Sequence, residues 1–304
     1  MSSLDSFSDS FDEFSWIRNW WENEGLADSC EHDVTTESLL NLLPNLRKRP
    51  VAFVLLAKKP GVFSGQIFLD WIQENQSEWK FEKLARDGDS LEAGSVFVSG
   101  KAELATLLAR ERMILNMLQH LSGIATATQQ LVKTVAESWK FKIAAPSVLH
   151  TRKFLPGLRH WQAQACIHGG GSSHRLNLGD RILFKDNHKK FLRREGKTLV
   201  QYYADLQSRG LISDALIEVE TIPEGLEAVQ SGVRNILLDN FTPEEVKAFF
   251  GKISSSQELN IELSGNLNQA TLPNLLVDPR IRRLSFGSIS HSVKALDISL
   301  EILE

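Results

Sequence analysis

After residue 140 the chain alternates short apolar runs with helical segments, and no other feature limits its folding options as sharply. Strand candidates are Lys142–Leu149, Cys166–Gly169, Arg181–Phe184, Leu216–Glu220, Asn235–Leu238, Asn260–Leu263 and Arg283–Phe286. Helical segments lie between them at Leu158–Ala165, Leu199–Arg209, Pro223–Gln230, Pro243–Phe250 and Gln269–Leu276. The best-signed helix start is Thr242 as N-cap, with Pro243 at the first helical position and Glu245 closing a capping box. Alternating β and α with connections of a few residues calls for parallel strands and right-handed crossovers. About seven such units predict an α/β fold built as an incomplete TIM-like barrel, although an open doubly wound sheet has the same periodicity.

The first third reads differently. A helix-like stretch at Glu37–Leu43 and apolar runs at Val51–Ala57 and Ser95–Ser99 suggest a small α+β region. From Glu103 a long helix follows, with Leu104, Leu107, Leu108, Leu115, Leu118 and Leu121 on its buried side and Arg112, Asn116 and Gln119 forming a polar stripe. A solvated face is the commoner meaning of such a stripe. At the N-terminus Leu4, Phe7, Phe11 and Phe14 recur at helical steps and run into Ile17, Trp20 and Trp21. Because the opposite face is acidic, docking on the body or a partner is favoured over membrane binding.

Composition narrows the partners. With 34 Lys+Arg against 38 Asp+Glu, the net charge of −4 creates no global basic field for nucleic acid or an anionic membrane, so any anion site must be local. No apolar stretch approaches the roughly 20 residues of a membrane span, and no signal peptide opens the chain. Cys30 and Cys166 lack zinc or C-x-x-C spacing, which fits a reducing compartment and makes the cytoplasm the default.

In a barrel of this kind, chemistry sits where strands end. The first strand runs into His150-Thr151-Arg152-Lys153, the second into Gly169-Gly170-Gly171 and then His174-Arg175, and the third into Lys185-Asp186-Asn187-His188. Glu218 and Glu220 flank Val219 on one face of the fourth, and only one need reach a ligand. Asp239-Asn240, Ser264-Gly265-Asn266 and Gly287-Ser288 end the last three. Singly, each has a plain structural explanation. Jointly, Arg152, Lys153, Arg175 and Lys185 on one rim would repel one another unless anions lay between them. Glycines after the sixth and seventh strands let backbone N–H groups approach a phosphate. There is no H-E-x-x-H, G-x-S-x-G or Walker motif. The rim therefore suits a polyanionic substrate, with the carboxylates holding Mg²⁺ or hydroxyl groups.

Several segments also carry a family pattern in order: Glu111-Arg112 to Asn116, Gln119-His120-Leu121-Ser122-Gly123, Thr151-Arg152-Lys153 with Pro156-Gly157-Leu158-Arg159, Gly169-Gly170-Gly171 with His174-Arg175, and Lys185-Asp186-Asn187-His188. Ile217-Glu218-Val219-Glu220, Leu237-Leu238-Asp239-Asn240 and His291-Ser292-Val293 continue it. Over roughly residues 25 to 304 the chain resembles the quinolinate phosphoribosyltransferase family (nicotinate-nucleotide pyrophosphorylase, carboxylating).

The resemblance implies an N-terminal α/β sandwich over residues 25–114, rejoined by a C-terminal helix over 290–304. It implies a barrel over residues 115–289, with residues 1–24 as an extension. It implies reaction of quinolinate with phosphoribosyl pyrophosphate to nicotinate mononucleotide, pyrophosphate and CO₂, as in NAD biosynthesis, with Mg²⁺ and no organic cofactor. Lys153, Lys185, Glu220 and Asp239 would be catalytic, with Glu220 and Asp239 at the Mg²⁺, directly or indirectly. Thr151, Arg152, His174, Arg175, Ser264, Gly265, Asn266, Gly287 and Ser288 would join them in binding substrate. Arg112 would enter the site of the second subunit of a homodimer, a higher oligomer being left open. The chain departs from the pattern at Phe154-Leu155, Asn266, His150 and His32. These departures leave open a different acceptor, as in the relatives found beside molybdate transport, or a noncatalytic protein that binds anionic ligands.

Overall fold

The structure, a computed structural model, describes residues 11–27, 33–212 and 215–303. Leu4, Phe7, Cys30 and His32 lie outside the described residues. In chain order the elements begin α1 (Glu13–Ala27), α2 (Val34–Leu42), β1 (Pro50–Ala57), β2 (Gly61–Val62), α3 (Gln66–Asn75), β3 (Trp79–Leu84), β4 (Ser90–Leu91), β5 (Val96–Glu103) and α4 (Leu104–Ser138). There follow β6 (Ser147–His150), α5 (Arg159–His168), β7 (Leu183–Phe184), α6 (Asp186–Arg194), α7 (Leu199–Ser208), β8 (Leu216–Val219) and α8 (Ile222–Gln230). The chain ends with β9 (Asn235–Asp239), α9 (Pro243–Phe250), β10 (Asn260–Ser264), α10 (Leu272–Leu275), β11 (Ile281–Phe286), α11 (Ser288–His291) and β12 (Ile298–Ile302).

Two units result. The first takes the chain up to Ala127, Ile167–Gly170 and the segment from Val293 onward, and the second takes Thr128–Cys166 and Gly171–Ser292. The first is built on an antiparallel sheet of order β12-β1-β5-β3. Helix α1 buries Ile17 and Trp21 and leaves Phe14 exposed. Trp20 meets Phe68 of α3 edge to face at 5.2 Å, and Trp21 lies 6.0 Å from Trp71 and 6.3 Å from Trp79. Each such ring pair adds about 0.5–1.5 kcal/mol beyond its buried area, so the aromatic stripe of this helix is spent on its own unit.

Two expectations for this region change. The units divide after Ala127 and not at residue 114, both points lying within α4, which runs unbroken. The C-terminal segment is a strand, not a helix: β12 pairs antiparallel with β1 from Phe53↔Ile302 to Ala57↔Ile298. Leu296, Ile298, Leu300 and Ile302 alternate with the period of two that a strand needs. Gln119 of the polar stripe anchors this segment, its Nε2 donating to Ile298 O at 2.7 Å and its O accepting from Leu296 N–H at 2.9 Å. A Cβ on Gly123 would fall 2.4 Å from Lys294 O, so only glycine lets the returning chain cross α4 there.

The second unit is a parallel sheet of six strands, in the order β6-β11-β10-β9-β8-β7. The expected strand at Cys166–Gly169 is absent. Cys166 ends the buried side of α5 with Trp161, Ala163 and Ala165, and the sheet continues past β6 only through a single bridge, Leu149↔Ser172. A short apolar run at a helix end is indistinguishable from a strand by periodicity. The first strand is shorter than expected, Ser147–His150. Helix α6, with Asp186 in its first turn and Arg193 and Arg194 in its last, occupies a stretch read only as a strand end. The Thr242 capping box forms as expected, Glu245 N–H donating to Thr242 Oγ1 at 3.2 Å and Thr242 N–H to Glu245 Oε2 at 2.8 Å. Among the described residues no helix is long and apolar enough to cross a membrane.

Candidate active site

Register brings the chemistry together. Asp239, Ser264 and Ser285 are lateral neighbours on β9, β10 and β11, and Glu218, Leu237 and Glu262 form the row two residues below. Side chains two apart share a face. Leu237 forms a buried apolar cluster with Leu183 and Leu216. Along one face β7, β8 and β9 thus pass from leucine to a charged group at or beside their C-terminal ends.

Above that floor lies a cavity of about 450 Å³ lined by Thr151, Arg152, Lys153, His174, Arg175, Lys185, Asp239 and Ser264 among the residues expected there. It also takes in Leu178, Leu183, His188, Glu218, Leu237, Glu262 and Ser285. Lys185 Nζ sits 2.6 Å from Glu218 Oε2, the lysine half exposed and the carboxylate buried. His188 is held in place because its Nδ1 accepts the N–H of Lys185 at 2.9 Å. Arg175 is buried and donates to Arg181 O at 3.2 Å. Burial first, and then the charge of Arg152, hold its guanidinium below the usual arginine value, with the carboxylates of Asp180 and Glu218 opposing them.

Glu262 is fully buried and accepts from His174 Nε2 at 3.0 Å and Ser285 Oγ at 2.6 Å. Arg283 Nε lies 3.1 Å from its other oxygen, an ion-pair contact without hydrogen-bond alignment. Burial alone would raise this carboxyl, yet His174, Ser285 and Arg283 together keep it below the usual range.

The remaining expected residues stand elsewhere. Glu220 lies beyond the end of β8, where alternation stops, and is not among the residues lining the cavity; its carboxylate is 53% exposed and 4.0 Å from Lys189 Nζ. Glu218 is the acid of that pair that lines the cavity. Gly265, Asn266, Gly287 and Ser288 flank it without lining it. Gly287 has ordinary helical φ; a Cβ there would come within 3.2 Å of Lys153 Cδ and 3.0 Å of His291 Nε2, so its glycine makes room for the lysine stem. Arg112 is exposed on α4 in the first unit. Glu262 and Ser285 could have been found by stepping back two residues along the face from Ser264 and Gly287; Leu178 carries no such signal.

Residues 33–122 match the family description "Quinolinate phosphoribosyl transferase, N-terminal domain", and residues 124–301 match its C-terminal domain. The chain belongs to the quinolinate phosphoribosyltransferase family. A probable nicotinate-nucleotide pyrophosphorylase (carboxylating) of Bacillus subtilis is 33% identical over 281 residues, covering 91% of this chain and 90% of that one. The chloroplastic enzyme of that name from Arabidopsis thaliana is 34% identical over 267 residues, covering 81% and 72%. Among solved structures, the nicotinate-nucleotide pyrophosphorylase of Ehrlichia chaffeensis has a TM-score of 0.80 at 30% identity, covering 97% of this chain and all of that one.

Two departures from the quinolinate phosphoribosyltransferase pattern stand against each other. His150 is buried, its ring 5.1 Å from that of Phe154 and its Nε2 3.2 Å from Ser173 Oγ. Neither His150 nor Phe154 lines the cavity.

Proposed function

We propose that this chain transfers the phosphoribosyl group of phosphoribosyl pyrophosphate to the ring nitrogen of quinolinate, releasing pyrophosphate and CO₂ and giving nicotinate mononucleotide for NAD biosynthesis. The observation that carries this reading is the gathering of Arg152, Lys153, Arg175, Lys185 and His174 around one cavity with carboxylates of Glu218 and Asp239 beside them. Both substrates are polyanions, and one charge pair at 4 Å contributes about 4 kcal/mol at an effective dielectric near 20. Arg152 and Arg175 suit the two carboxylates of quinolinate, because a guanidinium fork binds a carboxylate bidentately. Lys153 and Lys185 suit phosphate oxygens as point charges. The Lys185–Glu218 pair offers both signs at one place: the lysine to the departing pyrophosphate, the carboxylate to positive charge growing on the ribose. Glu218 thereby takes the role the family pattern had suggested for Glu220.

No group of three or more His, Cys, Asp or Glu among the described residues could hold a metal by itself. That donor set still fits Mg²⁺, which commonly takes one or two carboxylates and fills its shell with substrate phosphate and water. Asp239 would hold it, and the ion would neutralise pyrophosphate charge. Once the ring nitrogen is bonded to ribose it is cationic and accepts the electrons released as CO₂ leaves, so no organic cofactor enters the scheme.

The same reading includes a homodimer in which Arg112, exposed on α4, completes the site of a second copy. A reducing, cytoplasmic setting is part of it, supported by the free buried thiol of Cys166. Purified protein given phosphoribosyl pyrophosphate, Mg²⁺ and either quinolinate or nicotinate should release CO₂ with quinolinate only; turnover of nicotinate alone overturns the reading. Mixing Arg112→Ala with Lys185→Ala chains should restore about a quarter of the sites by random pairing in a two-fold assembly. Subunit exchange without recovery would exclude the shared arginine.

A further inference from the structure

Among the described residues, only Asn240 and Asn266 have positive φ without being glycine, at 58° and 50°. Each stands just past the end of one of two adjacent parallel strands, Asn240 after β9 and Asn266 after β10. Left-handed backbone at a side-chain-bearing residue persists where its surroundings hold it in place, and such strain gathers at functional sites. Here the side chains of the two strained residues meet. Asn266 Nδ2 donates to Asn240 Oδ1 at 3.0 Å, and Asn240 Nδ2 donates to Asp239 Oδ2 at 2.8 Å. The backbone agrees, with Asn240 N–H donating to Ser264 O at 2.9 Å. Between them Gly265, at φ 78°, leaves the space that the Asn240 amide crosses; a Cβ there would lie 2.2 Å from Asn240 Oδ1.

The relay has a direction. A carboxylate only accepts, so Asn240 must turn its NH₂ to Asp239 and its oxygen to residue 266, which must then donate. We propose that Asn266 and Asn240 form an amide latch that fixes the Asp239 carboxylate at the cavity wall, occupying one of its oxygens and leaving the other for the metal-bearing substrate. Both are positioning residues that act through Asp239. The ligand assigned to Asp239 rests on the proposed function; the latch itself does not.

The discriminating substitution is Asn266→Asp. Aspartate keeps the size of asparagine and, like it, tolerates left-handed backbone, but it presents an acceptor where the latch needs a donor. Asn266→Gly removes both the strain and the side chain. Calorimetric titration with phosphoribosyl pyrophosphate and Mg²⁺ should show binding weakened about threefold to tenfold by Asn266→Gly and more than about tenfold by Asn266→Asp, as expected for hydrogen bonds in a chain ending on a charge. The double variant Asn240→Gly with Asn266→Gly should bind no more weakly than Asn240→Gly alone. If Asn266→Asp binds as well as the unaltered protein or better than Asn266→Gly, or if the two glycine effects multiply, the latch is overturned. Urea melts without ligand decide it separately. Asn266→Asp should unfold at lower urea than Asn266→Gly, and the two glycine changes should be non-additive. Additive melts overturn the latch even if binding is lost. Absence of any binding by the unaltered protein overturns the proposed function instead, and the melts still decide the latch.

Discussion

The two units use a sheet face in opposite ways. In the first, the rings of Phe53 on β1 and of Trp79 and Phe81 on β3 lie 5.6–6.0 Å apart, with β5 between the two strands, and α1 adds Trp21 to them. In the second, the face that begins with Leu183, Leu216 and Leu237 turns to Lys185, Glu218 and Asp239 within two residues. Antiparallel pairing closes the first unit around apolar contact. Parallel strands in the second all end at one rim and gather there whatever their last residues carry. Substitution in the aromatic core of the first unit should therefore cost stability with little chemical effect, and substitution at the rim of the second the reverse.

The largest effect expected is structural. Trp21→Ala should cost about 3–5 kcal/mol in urea unfolding, the usual loss for a buried large aromatic, while kcat/KM of the folded fraction stays within about twofold. A fall in kcat/KM as large as the fall in stability would break the contrast between the units. Next, Lys185→Ala should lower kcat/KM at least about a hundredfold, which asks for only about 2.7 kcal/mol of transition-state stabilisation. Its unfolding midpoint should fall less than that of Trp21→Ala, since the lysine is 44% exposed even though its partner Glu218 is buried. Normal kinetics would remove Lys185 from the site.

Acid sensitivity should localise to the second unit. Burial pushes the His150 imidazole down from 6.5 to about 4, so the folded state binds this proton less readily than the unfolded chain. The stability tied to neutral His150 is complete above pH 6.5 and drains as pH falls toward 4, by about 2 kcal/mol at pH 5. His150→Asn should flatten the urea midpoint between pH 7 and pH 5; an unchanged slope would show that other groups carry it. The smallest effect sharpens the assignment of the acids. Glu218→Gln should lower kcat/KM by at least about tenfold, whereas Glu220→Gln should leave it within about twofold. Equal losses would mean that exposure in the free protein misidentifies the working carboxylate.

Several of these features were legible in the chain. Cations at successive strand ends, the capping box at Thr242 and the motif order from Arg112 to Asp239 depend on residues near one another in sequence, and they pointed to a parallel α/β unit with an anion-binding rim. Period-two alternation also marked Glu218 and Glu220 as one face. It could not say where the strand would stop, and stopping at Val219 is what separates a buried acid from an exposed one.

What the sequence determined by itself is the kind of element each segment favours and the charge each strand delivers at its end, because propensity, capping and periodicity act over a few residues. Tertiary structure alone decided the rest. The last residues add a strand to β1 because a partner ladder 241 to 249 positions away, from Ala57 for Ile298 to Phe53 for Ile302, receives them. Cys166 closes a helix because its face is buried there, and Glu262 stays charged in the core because His174, Ser285 and Arg283 arrive from other strands and loops. Asn266 is tolerated in a left-handed turn beside Asn240, across a strand boundary that no local pattern spans. Hydrogen bonds and charge pairs between distant segments carry no sequence signature, since each partner looks ordinary until the fold sets it within 3 Å of the other.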